Sequence, residues 1–209
     1  MRWDAPVPGV LLFGGSFDPI HHGHLIVARA AAERIGAGRV VLIPAAVSPH
    51  KIGRPSVAAS HRLRMCELAV AREPILEVCD WETTQAGPSY TLHTVDYFRS
   101  QVPRGERLYW LIGMDSLREL HTWHRIAELS AQCTFVTARR NSDKLPETAA
   151  LAEAIGAALV ADVLDHVVDT PRVDISSTDI RRRIVEGRSV RFLTPDAVCE
   201  YIASHHVYV

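Results

Sequence analysis

The sequence predicts an α/β protein in which helices cover a mostly parallel sheet. Three observations support this prediction: short apolar runs recur along the chain, segments with helical spacing separate them, and glycine or proline stands at most of the junctions. Apolar runs without polar alternation are typical of strands that are buried on both faces, as in a parallel sheet between helices. We therefore expect a single doubly wound, Rossmann-like domain over residues 1–209, with a C-terminal helical part from about residue 176.

The first elements form a strand–helix–strand unit. Val10 to Phe13 is apolar and is followed by Gly14-Gly15, which predicts a buried strand entering a tight turn. Apolar residues at helical spacing predict a helix from His22 to Ile35. The β-branched run from Arg39 to Ile43 predicts a second strand, which Pro44 ends. This order is typical of a βαβ unit with parallel strands.

The same alternation continues to the end of the chain. Further strands are predicted at 75–81, 108–112 and 133–138, and further helices at 60–71, 91–100 and 149–158. Another helix is predicted from the Ser176–Thr178 cap to Glu186. A last helix is predicted from Thr194-Pro195, with the proline in the first helical position. In doubly wound sheets, ligands bind beyond the carboxyl ends of the strands. The segments that follow the predicted strands, Gly14-Gly15 and Gly113-x-Asp115 among them, are therefore the candidate ligand sites.

Composition and charge argue against nucleic acid and membranes as binding partners. Lysine and arginine number 23 against 24 acidic residues, so the net charge of −1 makes nucleic acid a poor candidate partner. No apolar run approaches the ~20 residues of a membrane span, so we expect no membrane partner. The four cysteines form no Cys-x-x-Cys pair, which favours free thiols in a reducing compartment. We expect a cytoplasmic protein, and the sequence leaves a homo-oligomer open.

A glycine- and histidine-rich segment joins the first strand to the first helix. It reads Gly14-Gly15-Ser16-Phe17-Asp18-Pro19-Ile20-His21-His22-Gly23-His24. Glycines allow a close approach to a ligand, and a helix start presents N–H groups suited to phosphate. His21 and His24 are three residues apart, so both imidazoles can face one side of the first turn. A purely structural turn and a zinc site are the alternatives, although no cysteine or acid stands at ligand spacing beside the histidines.

This segment resembles the signature of the HxGH nucleotidyltransferase superfamily, with His21-x-Gly23-His24 as the motif. The resemblance implies that Gly14, Gly15 and Ser16 border bound ATP. It also implies that His21 and His24 contact the ATP phosphates and stabilise charge on the α-phosphoryl group. His22 falls at the variable position of the motif and receives no role.

A second segment, Ile175-Ser176-Ser177-Thr178-Asp179-Ile180-Arg181, places hydroxyl residues at a predicted helix start and an arginine one turn later. Serine and threonine are common helix caps for structural reasons alone. The segment also resembles the ISSTxIR motif of the same superfamily. The resemblance implies that Ile175, Ser176, Ser177, Thr178 and Arg181 bind ATP, and a guanidinium is suited to phosphate oxygens.

Three segments between these motifs concern the acceptor. They are Pro49-His50-Lys51, Ser89-Tyr90-Thr91-x-x-Thr94, and Gly113-x-Asp115-Ser116-Leu117-x-x-Leu120-x-x-Trp123. From the residues alone, Lys51 could be a surface lysine and Trp123 a core residue. Together, however, these segments resemble those of bacterial nicotinate-nucleotide adenylyltransferases. Arg139-Arg140-Asn141 stands where that family often has arginine, proline and glycine, which leaves the shape of the adjoining loop open.

The resemblance implies an enzyme that transfers the adenylyl group of ATP to nicotinate mononucleotide, in the synthesis of NAD. It implies acceptor contacts by Lys51, Ser89, Tyr90, Thr91, Gly113, Asp115 and Trp123, with the pyridine ring stacked on Trp123. Mg²⁺ is expected to enter with ATP, held mainly by phosphates and with no dedicated metal residues. Asp18 could contact this ion or bond backbone N–H groups in its turn. The alternative is transfer to nicotinamide mononucleotide or another phosphate acceptor.

Overall fold

Six strands form one sheet within the residues that the computed structural model describes, which are 9–49, 56–140, 145 and 147–209. In chain order they are β1 Gly9–Gly15, β2 Arg39–Pro44, β3 Leu76–Val78, β4 Arg107–Gly113, β5 Thr134–Arg140 and β6 Val167–Thr170. Their order in the sheet is β3-β2-β1-β4-β5-β6. The pairs β1–β4, β4–β5 and β5–β6 are parallel. This is the strand order of a doubly wound, Rossmann-like sheet, which confirms the predicted fold class.

Helices alternate with the strands. They are α1 His22–Ile35, α2 Ala59–Val70, α3 Trp81–Thr84, α4 Thr91–Gln101, α5 Met114–Arg118, a 3₁₀ turn at Leu120–Thr122, α6 Ile126–Ser130, α7 Ala149–Ile155, α8 Ala157–Asp165, α9 Ser177–Val185 and α10 Asp196–Ser204. In the described part of the chain, none of these helices is long and apolar enough to cross a membrane.

The chain is organised as two compact units. The first unit consists of the residues up to Phe13, Val27–Val40 and Tyr90–Arg172, and the second of Gly14–Ile26, Val41–Ser89 and Val173–Val209. The expectation of a single domain over the whole chain stays a prediction.

The core of the first unit contains apolar residues from its strands and helices. In α1, Ala28, Ala31 and Ala32 are fully buried, which is the spacing of one helical face. Phe135 of β5 is also fully buried and is the largest such side chain among the described residues.

The core of the second unit is built on α2, α9 and α10. Met65 and Cys66 of α2, Ile180 of α9 and Val198 of α10 have no exposed surface. The helix α9 begins with Ser176 as its N-cap, and the Ser176 hydroxyl accepts a hydrogen bond from the Asp179 amide at 3.1 Å. The core and this cap fix the start of α9, where the second sequence motif lies.

Most predicted elements are present, and five details were wrong. The strand β1 continues through Gly14 and Gly15, where a turn was predicted. The predicted strand at 75–81 stops at Val78, and Trp81 opens a short helix in which the hydroxyls of Thr83 and Thr84 bond the carbonyls of Asp80 and Trp81.

The other three details concern helix boundaries and a missed strand. The single helix predicted at 149–158 is two helices, because Gly156 has a φ of +89° that no α-helix contains. Pro195 is the N-cap of α10 rather than its first helical residue, since its ψ of 145° is extended. The four-residue strand β6 was not predicted.

Candidate active site

The two motif histidines lie against each other at the start of α1. The rings of His21 and His24 are stacked, with centroids 3.7 Å apart and planes 20° from parallel. The His21 amide donates to Nδ1 of His24 at 3.3 Å, so the proton of a neutral His24 ring is on Nε2. The Phe17 and His24 rings form a T-shaped contact, with centroids 5.1 Å apart. His24 is thus fixed in the tautomer that makes Nε2 a donor.

The His21 ring lies where a side chain at position 23 would begin, which favours glycine there. A Cβ at position 23 would lie 3.0 Å from Nδ1 and 3.1 Å from Cε1 of His21. These separations are tighter than most Cβ contacts, so a larger residue would shift the His21 ring by a few tenths of an ångström. The glycine of the first motif is therefore explained by packing inside the protein, in addition to the close ligand approach that the sequence suggested.

His21 is the buried member of the pair. Its side chain is 5% exposed, and its Nδ1 has no hydrogen-bond partner among the described residues. Burial, and then the neighbouring His22, lower the pKa of His21 to about 4, so the ring is neutral at neutral pH. His21 therefore contributes a neutral ring to the site, and the lasting positive charge comes from elsewhere.

The permanent positive charge beside the histidines is that of Arg181, which lies one turn into α9. One guanidinium nitrogen of Arg181 donates to the carbonyl of Asp18 at 2.6 Å, and the other donates to the hydroxyl of Thr178 at 3.4 Å. The Ser177 hydroxyl donates to the carbonyl of Pro19 at 2.9 Å. The segments that carry the two motifs, more than 150 residues apart in the sequence, are therefore in direct contact. Ile175, half-buried, immediately precedes the N-cap.

The Asp18 carboxylate bonds a side chain, whereas the sequence left open a contact to Mg²⁺ or bonds to backbone N–H groups of its turn. Its side chain is buried, and its Oδ1 accepts a hydrogen bond from the Tyr208 hydroxyl at 2.7 Å. Its Oδ2 lies 3.9 Å from Arg181. The peptide bond between Asp18 and Pro19 is cis.

Two residues around this cluster, Arg62 and Tyr208, were not predicted from the sequence. The buried guanidinium of Arg62 donates to the carbonyls of Ser16, Ala46 and Val57 at 2.7 to 3.0 Å. It shares the inward face of α2 with Met65 and Cys66, and a charged residue at that spacing is the pattern that could have identified it. Tyr208 has no comparable pattern around it.

The glycine segment and Ser89 are tied to the loop after β2. The carbonyl of Gly15 accepts a hydrogen bond from the Ala45 amide at 2.9 Å. The Ser89 hydroxyl accepts a hydrogen bond from the Ala46 amide at 3.1 Å, and the Ser89 amide donates one to the Val47 carbonyl at 2.9 Å. Lys51, predicted to contact phosphate, lies outside the described residues.

The remaining predicted acceptor residues belong to the first unit, and several are open to solvent. Gly113 ends β4, and Asp115 in the next turn has a side chain that is 96% exposed and pairs with Arg118 at 2.8 Å. These three residues border a cleft of about 210 Å³. Trp123 is half-buried. Its ring makes a T-shaped contact with the ring of Phe135, with centroids 5.9 Å apart.

Thr91 is the first residue of α4, and Tyr90 is its N-cap. The Tyr90 side chain makes no capping hydrogen bond, and the first turn of α4 contains no acidic residue. The Tyr90 ring instead packs on His124, with centroids 4.5 Å apart. The start of α4 therefore presents backbone N–H groups at the positive end of an eleven-residue helix.

The described residues contain no group of three or more His, Cys, Asp or Glu side chains that could hold a metal ion. The stacked rings of His21 and His24 lie face to face instead of converging on one point.

Comparison with known proteins identifies similar chains. A family model of cytidylyltransferase-like proteins matches residues 12–183. A probable nicotinate-nucleotide adenylyltransferase of Thermomicrobium roseum is 40% identical over 94% of this chain and 90% of its own. The protein of the same description from a Roseiflexus species is 38% identical over 98% of both chains. Among solved structures, a Plasmodium falciparum nicotinic acid mononucleotide adenylyltransferase complexed with NaAD aligns with a TM-score of 0.75 at 15% identity, over 96% of this chain and 97% of its own. At that identity the structural likeness concerns the fold.

Proposed function

Because the chain belongs to the nicotinate-nucleotide adenylyltransferase family, we propose that it joins ATP and nicotinate mononucleotide to give nicotinate adenine dinucleotide and pyrophosphate. The observation that carries this conclusion is identity of 40% and 38% to two such relatives over nearly the whole chain. The reaction is a step in the synthesis of NAD. The arrangement of the two motifs supports the same reaction, as follows.

The start of α9 and the motif histidines are suited to bind the triphosphate of ATP. The amides at the start of a nine-residue helix and its dipole favour an anion there. Arg181 adds a planar, permanently charged donor. His24 adds the N–H on Nε2, which we assign to an oxygen of the α-phosphate. We assign the cradle around these groups to Gly14, Gly15, Ser16, Ile175, Ser176, Ser177 and Thr178.

The reaction itself is an in-line displacement at phosphorus. An oxygen of the acceptor's 5′-phosphate forms a bond to the α-phosphorus of ATP, and the bond from that phosphorus to the bridging oxygen of the β-phosphate breaks. A phosphate monoester is already an anion near neutral pH, with a second pKa of ~6, so no general base is needed. The protein must instead bring two polyanions together and stabilise the charge of the transition state. The neutral ring of His21, the Nε2 donor of His24 and the guanidinium of Arg181 meet that requirement.

We propose Mg²⁺ as the divalent cation of this reaction. Phosphate oxygens and water can complete its octahedral coordination, so it needs few protein carboxylates. Asp18 is the acid nearest to the histidine motif in the sequence, and both of its oxygens already face protein groups, Tyr208 and Arg181. When bound, the cation would neutralise charge on the triphosphate.

The start of α4 is suited to the carboxylate of nicotinate. Its N–H groups around Tyr90 and Thr91 lie at the positive end of the helix, which favours an anion over a neutral amide. This favours nicotinate mononucleotide over nicotinamide mononucleotide. The remaining acceptor roles follow the family resemblance: Trp123 stacks on the pyridine ring, Asp115 contacts ribose hydroxyls and Lys51 contacts phosphate. Ser89 and Gly113 are further acceptor contacts.

An acceptor panel tests this proposal. Pyrophosphate release is followed with ATP and, in turn, nicotinate mononucleotide, nicotinamide mononucleotide and phosphopantetheine, each with Mg²⁺ or with EDTA. We expect kcat/KM to be highest for nicotinate mononucleotide, by about tenfold or more over the amide because a charged hydrogen bond is lost. EDTA should reduce release to background. A higher kcat/KM for either other acceptor would overturn the proposed substrate.

A further inference from the structure

We propose that Tyr208 is a positioning residue of the ATP site: its phenol holds the Asp18 carboxylate, which in turn holds Arg181 toward the phosphates. The proposal rests on the proposed function in one respect, namely that Arg181 binds the triphosphate. It assigns a role to a residue that lies 190 positions from Asp18 in the sequence and belongs to neither motif.

The contact between Tyr208 and Asp18 has the geometry of a strong hydrogen bond. The distance of 2.7 Å is typical of an O–H donor, and the acceptor is a carboxylate on a side chain that is 9% exposed. Burial, and then the hydrogen bond to Asp18, raise the pKa of the Tyr208 phenol well above its usual value. The phenol therefore remains protonated and donates at any pH at which the protein works.

Asp18 holds Arg181 through two of its groups. The backbone carbonyl of Asp18 accepts from Arg181 at 2.6 Å, and Oδ2 of its side chain lies 3.9 Å from the same guanidinium nitrogen. Rotation of the Asp18 carboxylate would therefore weaken the ion pair with Arg181. Because Tyr208 holds Oδ1, it determines which oxygen faces the guanidinium.

A second cation, Arg62, lies near Asp18 but does not orient its carboxylate. Arg62 interacts electrostatically with Asp18, but its guanidinium donates to the carbonyls of Ser16, Ala46 and Val57. The charge of Arg62 thus lowers the cost of a buried carboxylate without fixing the direction of its oxygens. The Tyr208 hydroxyl supplies the directed bond.

The backbone that delivers Tyr208 is held in an unusual conformation. Tyr208 has a φ of +74°, and His206 has a φ of +50°. Bulky residues rarely adopt the left-handed region, and they remain there only where surrounding contacts require it. Val207 between them is buried, and its amide donates to the Ile202 carbonyl at 3.0 Å. The segment after α10 is therefore anchored so that the phenol of Tyr208 reaches Asp18.

The substitution Tyr208→Phe removes only the hydroxyl group. ATP affinity is measured by calorimetry with EDTA present, so that a metal held by Asp18 contributes nothing, and thermal unfolding is recorded in parallel. We expect ATP to bind about tenfold more weakly, which corresponds to one hydrogen bond to a charged group. The matched control is Tyr201→Phe, because that hydroxyl also bonds a side chain, Nδ1 of His61 at 2.9 Å, in the same unit. We expect the control to keep the ATP affinity of the unmodified chain.

A double-mutant cycle separates positioning from a structural role. If Tyr208 acts through Arg181, Tyr208→Phe changes ATP affinity little once Arg181→Gln is present, because coupled residues are not additive. Equal effects in both backgrounds, or an equal effect of Tyr201→Phe, would overturn the proposal. If Tyr208→Phe does not fold, Asp18→Asn replaces it, since that change keeps an acceptor for the phenol and removes the charge that faces Arg181. Unchanged ATP affinity in Asp18→Asn would then overturn it.

The titration needs no acceptor, so the two proposals can fail separately. An unmodified chain that binds ATP but adenylates no pyridine mononucleotide would overturn the proposed function and leave the result on Tyr208 valid. A chain that binds ATP neither in EDTA nor with Mg²⁺ present would overturn both.

Discussion

The two groups of candidate residues differ in how far the protein itself has organised them. In the second unit, the motif histidines are stacked on each other, and Arg181 and Ser177 bond carbonyls of the first motif. In the first unit, the side chain of Asp115 is 96% exposed, and Trp123 is half-buried. The residues of the histidine and Arg181 group are held by contacts within the chain before any ligand binds. Asp115 and Trp123, in contrast, have surface that a ligand can contact. This difference predicts that changes in the first group reduce turnover and that changes in the second reduce acceptor binding.

The largest expected effect is that of His24→Ala on turnover. Loss of a placed donor to a developing oxyanion costs about 3–4 kcal/mol, so we expect kcat to fall roughly 10²- to 10³-fold. The protein should still fold, because the helix α1 continues to Ile35 and its buried alanine face is untouched. Steady-state kinetics and thermal unfolding measure the two effects.

His22→Ala is the control for this experiment, since His22 lies at the variable position of the motif. We expect its kcat to remain near that of the unmodified chain. A His24→Ala variant with near-normal kcat would remove His24 from the chemistry and would weaken the distinction between the two groups.

The next effect concerns the dependence of stability on pH. The pKa of His21 is about 4 in the folded chain and has an ordinary value of 6.5. Between these values the unfolded chain binds a proton that the folded chain does not, so the free energy of unfolding decreases as the pH falls from 6.5 to 4. The full shift corresponds to about 3 kcal/mol.

Urea unfolding at stepped pH, compared between the unmodified chain and His21→Asn, isolates this contribution. We expect the variant to lose less stability over that interval than the unmodified chain. Equal losses in both chains would mean that the buried position of His21 does not control its protonation.

The smallest expected effect is that of Trp123→Ala on the acceptor. An aromatic stacking contact contributes about 0.5–1.5 kcal/mol, so KM for nicotinate mononucleotide should rise up to about tenfold, with KM for ATP little changed. Trp123→Phe, which keeps an aromatic ring, should retain most of the affinity. Equal increases in both KM values would indicate that the substitution disturbs the contact with Phe135 in the core instead of a pyridine platform.

The sequence predicted the parts of the fold that local patterns determine. The bounds predicted for the first helix, His22 and Ile35, agree with α1, because apolar residues recur at helical spacing and glycine follows the last of them. The break between α7 and α8 was missed because an alanine-rich run around Gly156 has the composition of one helix. The strand β6 is only four residues long, which is too short for a clear alternation.

The candidate site was predictable to the same extent. The resemblance to a family implies that both motifs bind ATP, and the structure brings the segments that carry them into contact. Tyr208 could not be predicted, because its contact with Asp18 spans 190 residues and no local pattern distinguishes it from a surface tyrosine. Arg62 likewise bonds carbonyls that only tertiary folding brings to it. The roles of the acceptor residues stay predictions.

The central claim is that His24, Arg181 and the start of α9 together hold the triphosphate. The most direct test is a crystal structure of the chain with an α,β-methylene analogue of ATP and Mg²⁺. We predict phosphate oxygens within hydrogen-bond distance of Nε2 of His24, the Arg181 guanidinium and the first amides of α9. A triphosphate bound elsewhere, with neither His24 nor Arg181 in contact, would contradict the claim.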